Sequence, residues 1–402
     1  MAGLATPDSI VIPDKNLEAS GINVVNDEVT KIDAEKKKVF ISDGQEFNYD
    51  KLFLATGASS FIPPIEGNEL KGVVTLRGLP DADKITTLMA DNTTKKMVFI
   101  GAGFISMEVA SLIAAANPDV YDITVVELFN RPLPLMLDKD MAEQVEKYLE
   151  EKSITILTGE KVKKITGING SVTGVELDSG KKLDADMVFV NVGVQPNIKL
   201  AEDIGLDIEK FGIKVNEFQE TSNPDILAGG DCVEKKNFIT QKPDPGRLRG
   251  PAVIQGRIAA KRLAGYNIEF PGVLNTGGCQ MFDITVAATG FTEEAAAKEG
   301  FETVCAIVDS RSKHGMIPGT KPWTIKLVFD RKTQKIIGGQ IVSHSVPPTR
   351  KIDAVSAFIL GGTTVSDLTT FMSACNPDIS SEPSLEPISV AAEHALQKLT
   401  KI

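Results

Sequence analysis

The chain contains few of the side chains that most often bind metals or form disulfide bonds. Its 402 residues include four cysteines and three histidines, all far apart along the sequence. No two cysteines form a CxxC or CxxxxC pair, which argues against a zinc ribbon and against a local redox dithiol. The scattered histidines do not suggest a metal site either. These residues are Cys232, Cys279, Cys305, Cys375, His314, His344 and His394.

Long apolar runs and an excess of positive charge are also missing. The first twenty residues have neither a basic stretch nor a continuous apolar stretch, so they do not resemble a secretory signal. No apolar run is long enough to cross a bilayer. With 43 basic and 54 acidic residues the formal net charge is −11, which is unlike the basic surface of a nucleic-acid-binding protein. We therefore expect a cytoplasmic protein that binds neither nucleic acid nor a membrane.

The length of the chain indicates two or three domains, because 402 residues exceed what one hydrophobic core usually supports. Short strands separated by turns are predicted near the N-terminus, and FIPPIEG (61–67) is predicted to be a linker. From about Gly272 onward, alternating strands are interleaved with helices, which is typical of an α+β domain. The N-terminal strands are predicted at 22–25, 29–33, 38–42 and 51–57, and the C-terminal helices at 350–361 and 386–399.

A βαβ unit is predicted in the middle of the chain. The strand MVFI (97–100), the turn GAGFIS (101–106) and the helix MEVASLIAAA (107–116) follow one another in the context that a dinucleotide-binding site requires. Gly101 permits the tight turn, and Gly103 lets the backbone approach a pyrophosphate. The N-terminus of the helix offers N–H groups and a partial positive charge to the phosphates. The alternative is a glycine-rich turn in some other doubly wound domain.

An acidic residue ends the second strand of this unit. Glu127 closes ITVVE (123–127) and stands 21 residues after Ser106, the residue at the third position of the glycine fingerprint. A carboxylate at this place can accept hydrogen bonds from both ribose hydroxyls and repels a 2′-phosphate. The site is therefore predicted to prefer NAD(H) over NADP(H).

Five ordered motifs resemble the pyridine nucleotide-disulfide oxidoreductase family, within the branch of NADH oxidases, CoA-disulfide reductases and NAD-dependent persulfide reductases. The resemblance runs from Ile22 to the C-terminus. The motifs are YDKLFLATGASSFIPPIEG (49–67), VFIGAGFISMEVA (98–110), VNVGVQPN (190–197), TSNPDILAGGDC (221–232) and FDITVAATGFTEE (282–294).

The resemblance implies an α/β fold with two nucleotide-binding domains of the FAD/NAD(P) type and a C-terminal α+β dimerisation domain. The implied domains are 1–83 with 214–271 for FAD, 84–213 for NAD, and 272–402 for dimerisation. The implied reaction passes a hydride from NADH to FAD, and then electrons to a disulfide, a persulfide, a CoA-disulfide or oxygen. The protein would act as a homodimer.

The same resemblance implies which residues bind the two cofactors. For FAD, Asp231 would accept hydrogen bonds from the ribityl chain, and Ala252 would lie near the flavin ring at a helix N-terminus. An ordinary helix-capping aspartate is the alternative for Asp231. The full FAD set is Ala55, Thr56, Gly57, Gly230, Asp231 and Ala252. The full NAD set is Gly101, Gly103, Phe104, Ile105, Ser106, Glu127 and Gly193.

The N-terminus departs from the family pattern. Members of the family begin with a βαβ unit that carries a GxGxxG motif for FAD, followed in the disulfide-reducing branch by a redox cysteine. Residues 1–21 contain neither, and a βαβ unit needs about 30 residues or more. Three explanations stay open: an N-terminal portion outside these residues, a gene model that starts at an internal Met, or a true truncation. We favour the first two, since the FAD-domain sheet would otherwise miss its central strand.

The C-terminal segment SACNPDISSEPSLEPI (373–388) also departs from the family. It lacks the HPTxxE acid–base pair, because Asn376 stands about where the histidine is expected. The CoA-disulfide branch has a tyrosine nearby, and this chain has Cys375 instead. Cys375 is a candidate catalytic thiol, and a buried small hydrophobic residue is the alternative. Cys232 is predicted to be buried and non-catalytic. Lys326 is predicted to lie on a solvated strand face rather than to face an anionic substrate.

Two other functions remain possible on sequence grounds. A reductase of a small iron–sulfur protein would share both nucleotide domains, although the predicted dimerisation domain favours the disulfide or NADH-oxidase branch. A flavin-free NAD-binding dimer, acting as a sensor or structural subunit, would follow if the N-terminal truncation were real.

Overall fold

Strands and helices alternate along most of the chain. The computed structural model describes residues 6–90 and 93–400. The strands in chain order are β1 Val29–Asp33, β2 Lys38–Ile41, β3 Glu46–Asn48, β4 Leu52–Leu54, β5 Ala58–Ser60, β6 Val73–Val74, β7 Lys96–Ile100, β8 Asp122–Glu127, β9 Ile154–Thr158, β10 Val162–Ile168, β11 Ser171–Leu177, β12 Lys182–Asp184, β13 Met187–Val190, β14 Val194–Pro196, β15 Ile208–Glu209, β16 Gly212–Ile213, β17 Ile226–Ala228, β18 Lys235–Lys236, β19 Pro243–Asp244, β20 Gly277–Met281, β21 Ile284–Gly290, β22 Thr303–Arg311, β23 Pro322–Asp330 and β24 Ile336–Ser343. The helices are α1 Pro7–Ile10, α2 Asp14–Glu18, α3 Leu79–Ala90, α4 Phe104–Ala116, α5 Lys139–Glu150, α6 Lys199–Asp203, α7 Arg249–Leu263, α8 Glu293–Lys298, α9 Val346–Thr349, α10 Lys351–Leu360, α11 Val365–Thr369 and α12 Pro387–Thr400.

The chain divides into two compact units. Of the described residues, one unit contains Ser60–Gly193 together with those from Leu274 onward, and the other contains those up to Ser59 together with Val194–Val273. The predicted bounds of the three domains stay a prediction. Within the described residues, none of the helices is both long enough and apolar enough to pass through a membrane.

A five-stranded parallel sheet forms the N-terminal half of the first unit, in the order β6-β13-β7-β8-β9. Its strands are nearly continuous apolar runs because helices or strands cover both faces. Along β7, Met97 and Phe99 pack into one buried cluster, while Val98 and Ile100 pack into another on the opposite face. Since all five strands are parallel, their carboxyl ends lie at one edge, where the loop before α4 begins.

The C-terminal half of the same unit is an antiparallel sheet in the order β20-β21-β24-β23-β22. Helix α12 packs against β22 and β23, and α10 packs against β21 and β24. Met281, Ile284 and Val342 of this sheet belong to the same buried cluster as Met97 and Phe99. The two halves of the unit therefore share one core.

The second unit contains an antiparallel sheet, β1-β2-β3, and a parallel pair of strands, β4 and β17. Leu54 and Ala228 are partners in the parallel pair, and both are buried. The turn that follows β17 packs against α7. These contacts bring the ends of β4 and β17 close to the start of α7.

Most of the predicted elements occur within a few residues of their expected bounds, and the α/β fold class is confirmed. The predicted strand INVV (22–25) is wrong, because residues 22–25 form no strand. Ile22 and Val25 are both half exposed, and none of the described strands pairs with this segment. Several strands were not predicted from the sequence, among them β10, β20 and β22.

Candidate nucleotide and flavin sites

The glycine loop of the first unit has a conformation that only glycine adopts easily. Gly101 follows β7 with φ +92°, and a β-carbon there would lie 2.8 Å from the carbonyl oxygen of Asn191. Gly103 behaves differently: no described heavy atom outside the loop lies within 4 Å of the place its β-carbon would take. The backbone at Gly103 therefore faces open space, as a pyrophosphate-binding loop requires.

Helix α4 begins directly after this loop. Gly103 is its extended N-cap residue and supplies no side-chain cap, while Phe104, Ile105 and Ser106 form the first turn. The N–H groups of a first helical turn have no partner within the helix, and the end of the helix is electropositive. Ser106 is fully buried, and the side-chain amide of Asn191 donates to its hydroxyl at 3.3 Å. The helix N-terminus is thus available to an anion beside Gly103.

The Glu127 carboxylate lies against the glycine loop at the end of β8. One carboxylate oxygen accepts a hydrogen bond from the backbone N–H of Ala102 at 2.6 Å, and the other accepts from Phe129 at 2.9 Å. Glu127 is only 6% exposed, so its position is fixed. Each carboxylate oxygen has more than one lone pair and can still accept a ribose hydroxyl.

Gly193 lies at the same edge of the sheet. Strand β13 pairs with β7, and Asn191 donates its backbone N–H to the carbonyl of Ile100 at 3.1 Å. Gly193 has φ +124°, and no described atom beyond its chain neighbours is within 4 Å of its missing β-carbon. The structure therefore brings together the residues predicted to bind NAD.

Two features near this edge were missed by the sequence reasoning. The segment between β8 and α5 contacts the glycine loop, because Leu133 donates its N–H to the carbonyl of Ala102 at 2.9 Å. Glu108, one turn into α4, is half buried, and burial raises the pKa of its carboxyl group. The sequence could have indicated Glu108, because it is a carboxylate in an otherwise apolar helix. No local sequence pattern indicates the contact of Leu133 with the glycine loop.

In the second unit, the residues predicted to bind FAD also gather. Ala55, Thr56 and Gly57 follow β4, while Gly230 and Asp231 follow the parallel strand β17. A β-carbon on Gly230 would lie 3.8 Å from the β-carbon of Ala252 in the first turn of α7, which is an ordinary contact distance.

This arrangement fits a nucleotide in two respects. Gly57 has φ +67° with no described atom beyond its neighbours within 4 Å of its β-carbon position, so a ligand can approach the backbone. The buried Nε of Arg247 has no hydrogen-bond partner among the described residues, although the same side chain donates to the carbonyls of Val194 and Phe211. Burial lowers the pKa of Arg247, and the negative charge of Asp231 acts against this shift. Open glycine backbone, a carboxylate and an unsatisfied cationic donor are groups that suit a flavin nucleotide.

Lys235 supports the same turn and was not predicted. Its ammonium group is buried and donates to the carbonyl oxygens of Gly230 at 2.6 Å, Pro245 at 3.2 Å and Val233 at 3.3 Å. Burial lowers the pKa of Lys235 to about 8 despite the nearby charge of Asp231. A cavity of about 890 Å³ is lined by Lys235 and Gln255 but by none of the residues predicted to bind FAD.

The candidates in the C-terminal half need two corrections. Cys375 is exposed, so its interpretation as a buried small residue is wrong; its catalytic role stays a prediction. Lys326 is 1% exposed and does not lie on a solvated face, because carboxylates of Asp138, Asp140 and Glu293 surround it. Cys232 is buried, as predicted.

Comparisons with known proteins agree with this geometry. The model of the pyridine nucleotide-disulphide oxidoreductase family matches residues 5–255, and the model of its dimerisation domain matches residues 277–384. The chain is 39% identical over 379 residues to an NADH oxidase of Methanocaldococcus jannaschii, covering 93% of this chain and 83% of the relative. It is 32% identical over 370 residues to an NAD(P)H coenzyme A polysulfide/persulfide reductase of Pyrococcus horikoshii, covering 91% and 81%.

A solved structure shows the same fold. The NAD-dependent persulfide reductase of A. fulgidus superposes with a TM-score of 0.89 at 35% identity, over 95% of this chain and 70% of that one. The sequence-based identification is confirmed, and the family depends on FAD and NAD(P)H. The chain belongs to the pyridine nucleotide-disulphide oxidoreductase family.

Proposed function

We propose that the protein is a flavoprotein oxidoreductase that oxidises NADH and reduces a disulfide, a persulfide or oxygen. The observation that carries this proposal is the glycine loop, in which Gly103 faces open space and Glu127 holds Ala102. The relatives support it, since their names describe NADH oxidation and the reduction of persulfides. FAD and the nicotinamide supply the redox chemistry when bound, and the chain binds and orients them.

The choice of NADH over NADPH rests on Glu127. Its carboxylate is fixed by two backbone N–H groups and lies beside the loop that would hold the pyrophosphate. A ribose with free hydroxyls can donate to this carboxylate, whereas a 2′-phosphate would be repelled by it. Gly101, Gly103 and the first turn of α4 would hold the pyrophosphate, and Gly193 would leave room for the nicotinamide half.

For the flavin, we propose the residues that follow β4 and β17. Thr56 and Gly57 would lie along the nucleotide, and Asp231 would accept hydrogen bonds from hydroxyl groups of the ribityl chain. Ala252 lies in the first turn of α7, whose electropositive end would stabilise negative charge on a bound flavin ring. Lys235 and Arg247 hold the backbone of this turn and its surroundings through hydrogen bonds to carbonyl oxygens.

The acceptor is proposed to be a small molecule rather than an iron–sulfur protein. Residues 277–384 match the dimerisation domain of the family, and in this chain they form an antiparallel sheet covered by helices. We infer that the protein forms a homodimer through this region. Because the relatives include persulfide reductases and NADH oxidases, persulfides and oxygen are the first acceptors to test.

The test begins with the visible absorption spectrum of the purified chain. A flavin band is expected, and NADH added without oxygen should bleach it. CoA-disulfide, CoA-persulfide or oxygen should then restore the band, and the fastest of them identifies the acceptor. Asp231→Ala should lower the flavin content, with the exposed Asp203→Ala as a matched control. A colourless protein that still binds NADH would contradict the proposal and support the flavin-free alternative.

A further inference from the structure

The loop between β8 and α5 (residues 128–138) is hydrogen-bonded to the glycine loop. Ala102 donates its N–H to the Glu127 carboxylate at 2.6 Å, and its carbonyl accepts from the N–H of Leu133 at 2.9 Å. Both backbone polar groups of Ala102 are therefore occupied by neighbouring segments. Any shift of Leu133 must move Ala102 or break this hydrogen bond.

Leu133 itself has an unfavourable backbone conformation. Its φ is +51°, in the left-handed region, and its side chain is 1% exposed in the core. A leucine keeps such a conformation only where its surroundings fix it. Arg131 supplies part of this constraint, because its buried guanidinium donates to the carbonyls of Leu137 at 2.7 Å and Pro134 at 3.2 Å. The arginine thus links two points of the loop from within.

The loop is also attached to the C-terminal half of the same unit. Arg131 lies 2.7 Å from the Glu294 carboxylate, and Asp138 accepts hydrogen bonds from the backbone of Glu293 at 3.0 Å and the Gln340 side chain at 2.6 Å. In return, Asp138 donates its backbone N–H to Gln340 at 2.7 Å. Arg131 and Asp138 are therefore both fixed to α8, and Asp138 is also fixed to β24.

Lys326 completes this attachment from β23. Its ammonium nitrogen lies 3.1 Å from Asp138, 2.8 Å from Asp140 and 3.0 Å from Glu293. Burial alone would lower the pKa of Lys326, but the three carboxylates raise it. Burial would likewise raise the pKa of Asp138, yet its hydrogen bonds and the lysine charge keep it below its usual value. Lys326 and Asp138 are buried, whereas Asp140 and Glu293 are exposed. The buried pair fixes one arrangement of its partners, because any other arrangement leaves a buried charge unpaired.

We propose that Asp138 and Lys326 are positioning residues for the coenzyme: through the loop 128–138 they couple the C-terminal half of the unit to the glycine loop. The proposal rests on the assignment of that loop to NADH. In this arrangement the C-terminal sheet does more than mediate dimerisation, since it sets the position of Ala102 and of the Glu127 carboxylate. Breaking the contacts of Asp138, which lies at the end of the loop, should weaken binding of the ADP-ribose half of the coenzyme.

The test compares two substitutions that remove one carboxylate each from the same lysine. Asp138→Asn replaces oxygens that accept from α8 and Gln340, and it acts at the end of the loop. Glu293→Gln removes a charge at 3.0 Å from Lys326 without a side-chain contact to the loop. Binding of ADP-ribose to the full chain is measured by calorimetry, because ADP-ribose needs no flavin to bind. Thermal unfolding and hydrogen exchange of residues 128–137 are measured on the same samples.

We expect Asp138→Asn to weaken ADP-ribose binding about fivefold or more, which is the usual size of coupling between two sites. Glu293→Gln should change ADP-ribose binding less than about twofold. Exchange in the loop should accelerate only in Asp138→Asn. Equal losses of affinity in both variants, or none in either, would overturn the coupling. Should Asp138→Asn not fold, Glu294→Gln, which breaks the ion pair to Arg131 at a half-exposed carboxylate, serves in its place. Failure of the unmodified chain to bind ADP-ribose would instead contradict the proposed function.

Discussion

The carbonyl oxygen of Asn191 lies 2.8 Å from the point where a β-carbon on Gly101 would be, while the corresponding point at Gly103 is open. Gly101→Ala should therefore lower the free energy of unfolding by about 2 kcal/mol or more, from the close contact and from φ +92°.

The matched substitution Gly103→Ala should fold normally. It costs at most about 1 kcal/mol, because alanine is a poorer N-cap than glycine. Its methyl group fills the space that we assign to the pyrophosphate, so NADH affinity should fall about tenfold or more, or about 1.4 kcal/mol. Denaturant unfolding and calorimetric NADH titration separate the two effects. Unchanged affinity in Gly103→Ala would mean that the coenzyme does not approach this backbone.

Coenzyme preference should depend on the charge of Glu127. Glu127→Gln keeps the size of the side chain but removes the charge that repels a 2′-phosphate. We expect the ratio of kcat/KM for NADH to that for NADPH to fall about tenfold or more. Glu151→Gln, an exposed carboxylate in the C-cap position of α5, is the control with the same change of net charge. Equal use of both coenzymes by the unmodified protein would contradict the assignment.

The lowered pKa of Lys235 predicts how the free energy of unfolding changes with pH. Burial lowers its pKa to about 8 from the usual 10.5. Between these pKa values the unfolded chain binds a proton that the folded chain has released, so the free energy of unfolding rises with pH. Below about pH 8 Lys235 is protonated in both states, and the unfavourable contribution of its buried charge to stability stays constant. Relative to Lys235→Met, the unmodified protein should gain about 1–3 kcal/mol between about pH 7.5 and about pH 10.

Urea unfolding at several pH values measures this gain. Lys236→Met, at the exposed neighbouring residue, removes the same charge and should show no such pH-dependent difference. A parallel pH dependence in all three proteins would show that Lys235 keeps an ordinary pKa.

The sheet edge that we propose to bind NADH was predictable because its signals are local. A continuous apolar strand, a glycine turn and a helix of small apolar residues follow one another between Met97 and Ala116, and β7 and α4 form there. The strand predicted at 22–25 had the right composition, but no strand in the described part of the chain pairs with it, and only the tertiary fold decides pairing. Strand β10, VKKITGI, was missed because its polar residues obscure the alternation, although it pairs along its length with β11.

The charge cluster around Lys326 could not be predicted by the same reasoning. Its three carboxylates come from distant parts of the chain. Asp138 and Asp140 precede Lys326 by 186 or more residues, and Glu293 precedes it by 33 residues. A lysine on an apolar strand has the same local pattern whether it faces water or carboxylates from distant parts of the chain. The loop 128–138 is similar, since the contact of Leu133 with Ala102 depends on tertiary structure alone.

The four cysteines should differ strongly in reactivity. Cys375 is exposed, whereas Cys232 and Cys279 are buried. Burial raises the pKa of both Cys279 and Cys305 to about 12, which keeps these thiols protonated and unreactive near neutral pH. Titration of the native protein with a thiol reagent should therefore show one fast-reacting group, and Cys375→Ser should abolish it. A fast group that persists in this variant would locate the reactive thiol elsewhere.

Exposure also makes Cys375 the cysteine that an incoming acceptor can reach. Its sulfur lies 3.4 Å from the carbonyl oxygen of Ser373 in a segment where residues 374–379 are all exposed. If the thiol exchanges with a disulfide or persulfide, Cys375→Ser should lower acceptor reduction about tenfold or more, since a hydroxyl cannot replace a thiolate as nucleophile.

NADH binding and the anaerobic bleaching of the flavin should stay unchanged in Cys375→Ser, because Cys375 is not among the residues assigned to either cofactor. Cys305→Ser is the matched control, and stopped-flow measurement of each half-reaction separates the two steps. Unchanged turnover with every acceptor would leave Cys375 without a catalytic role.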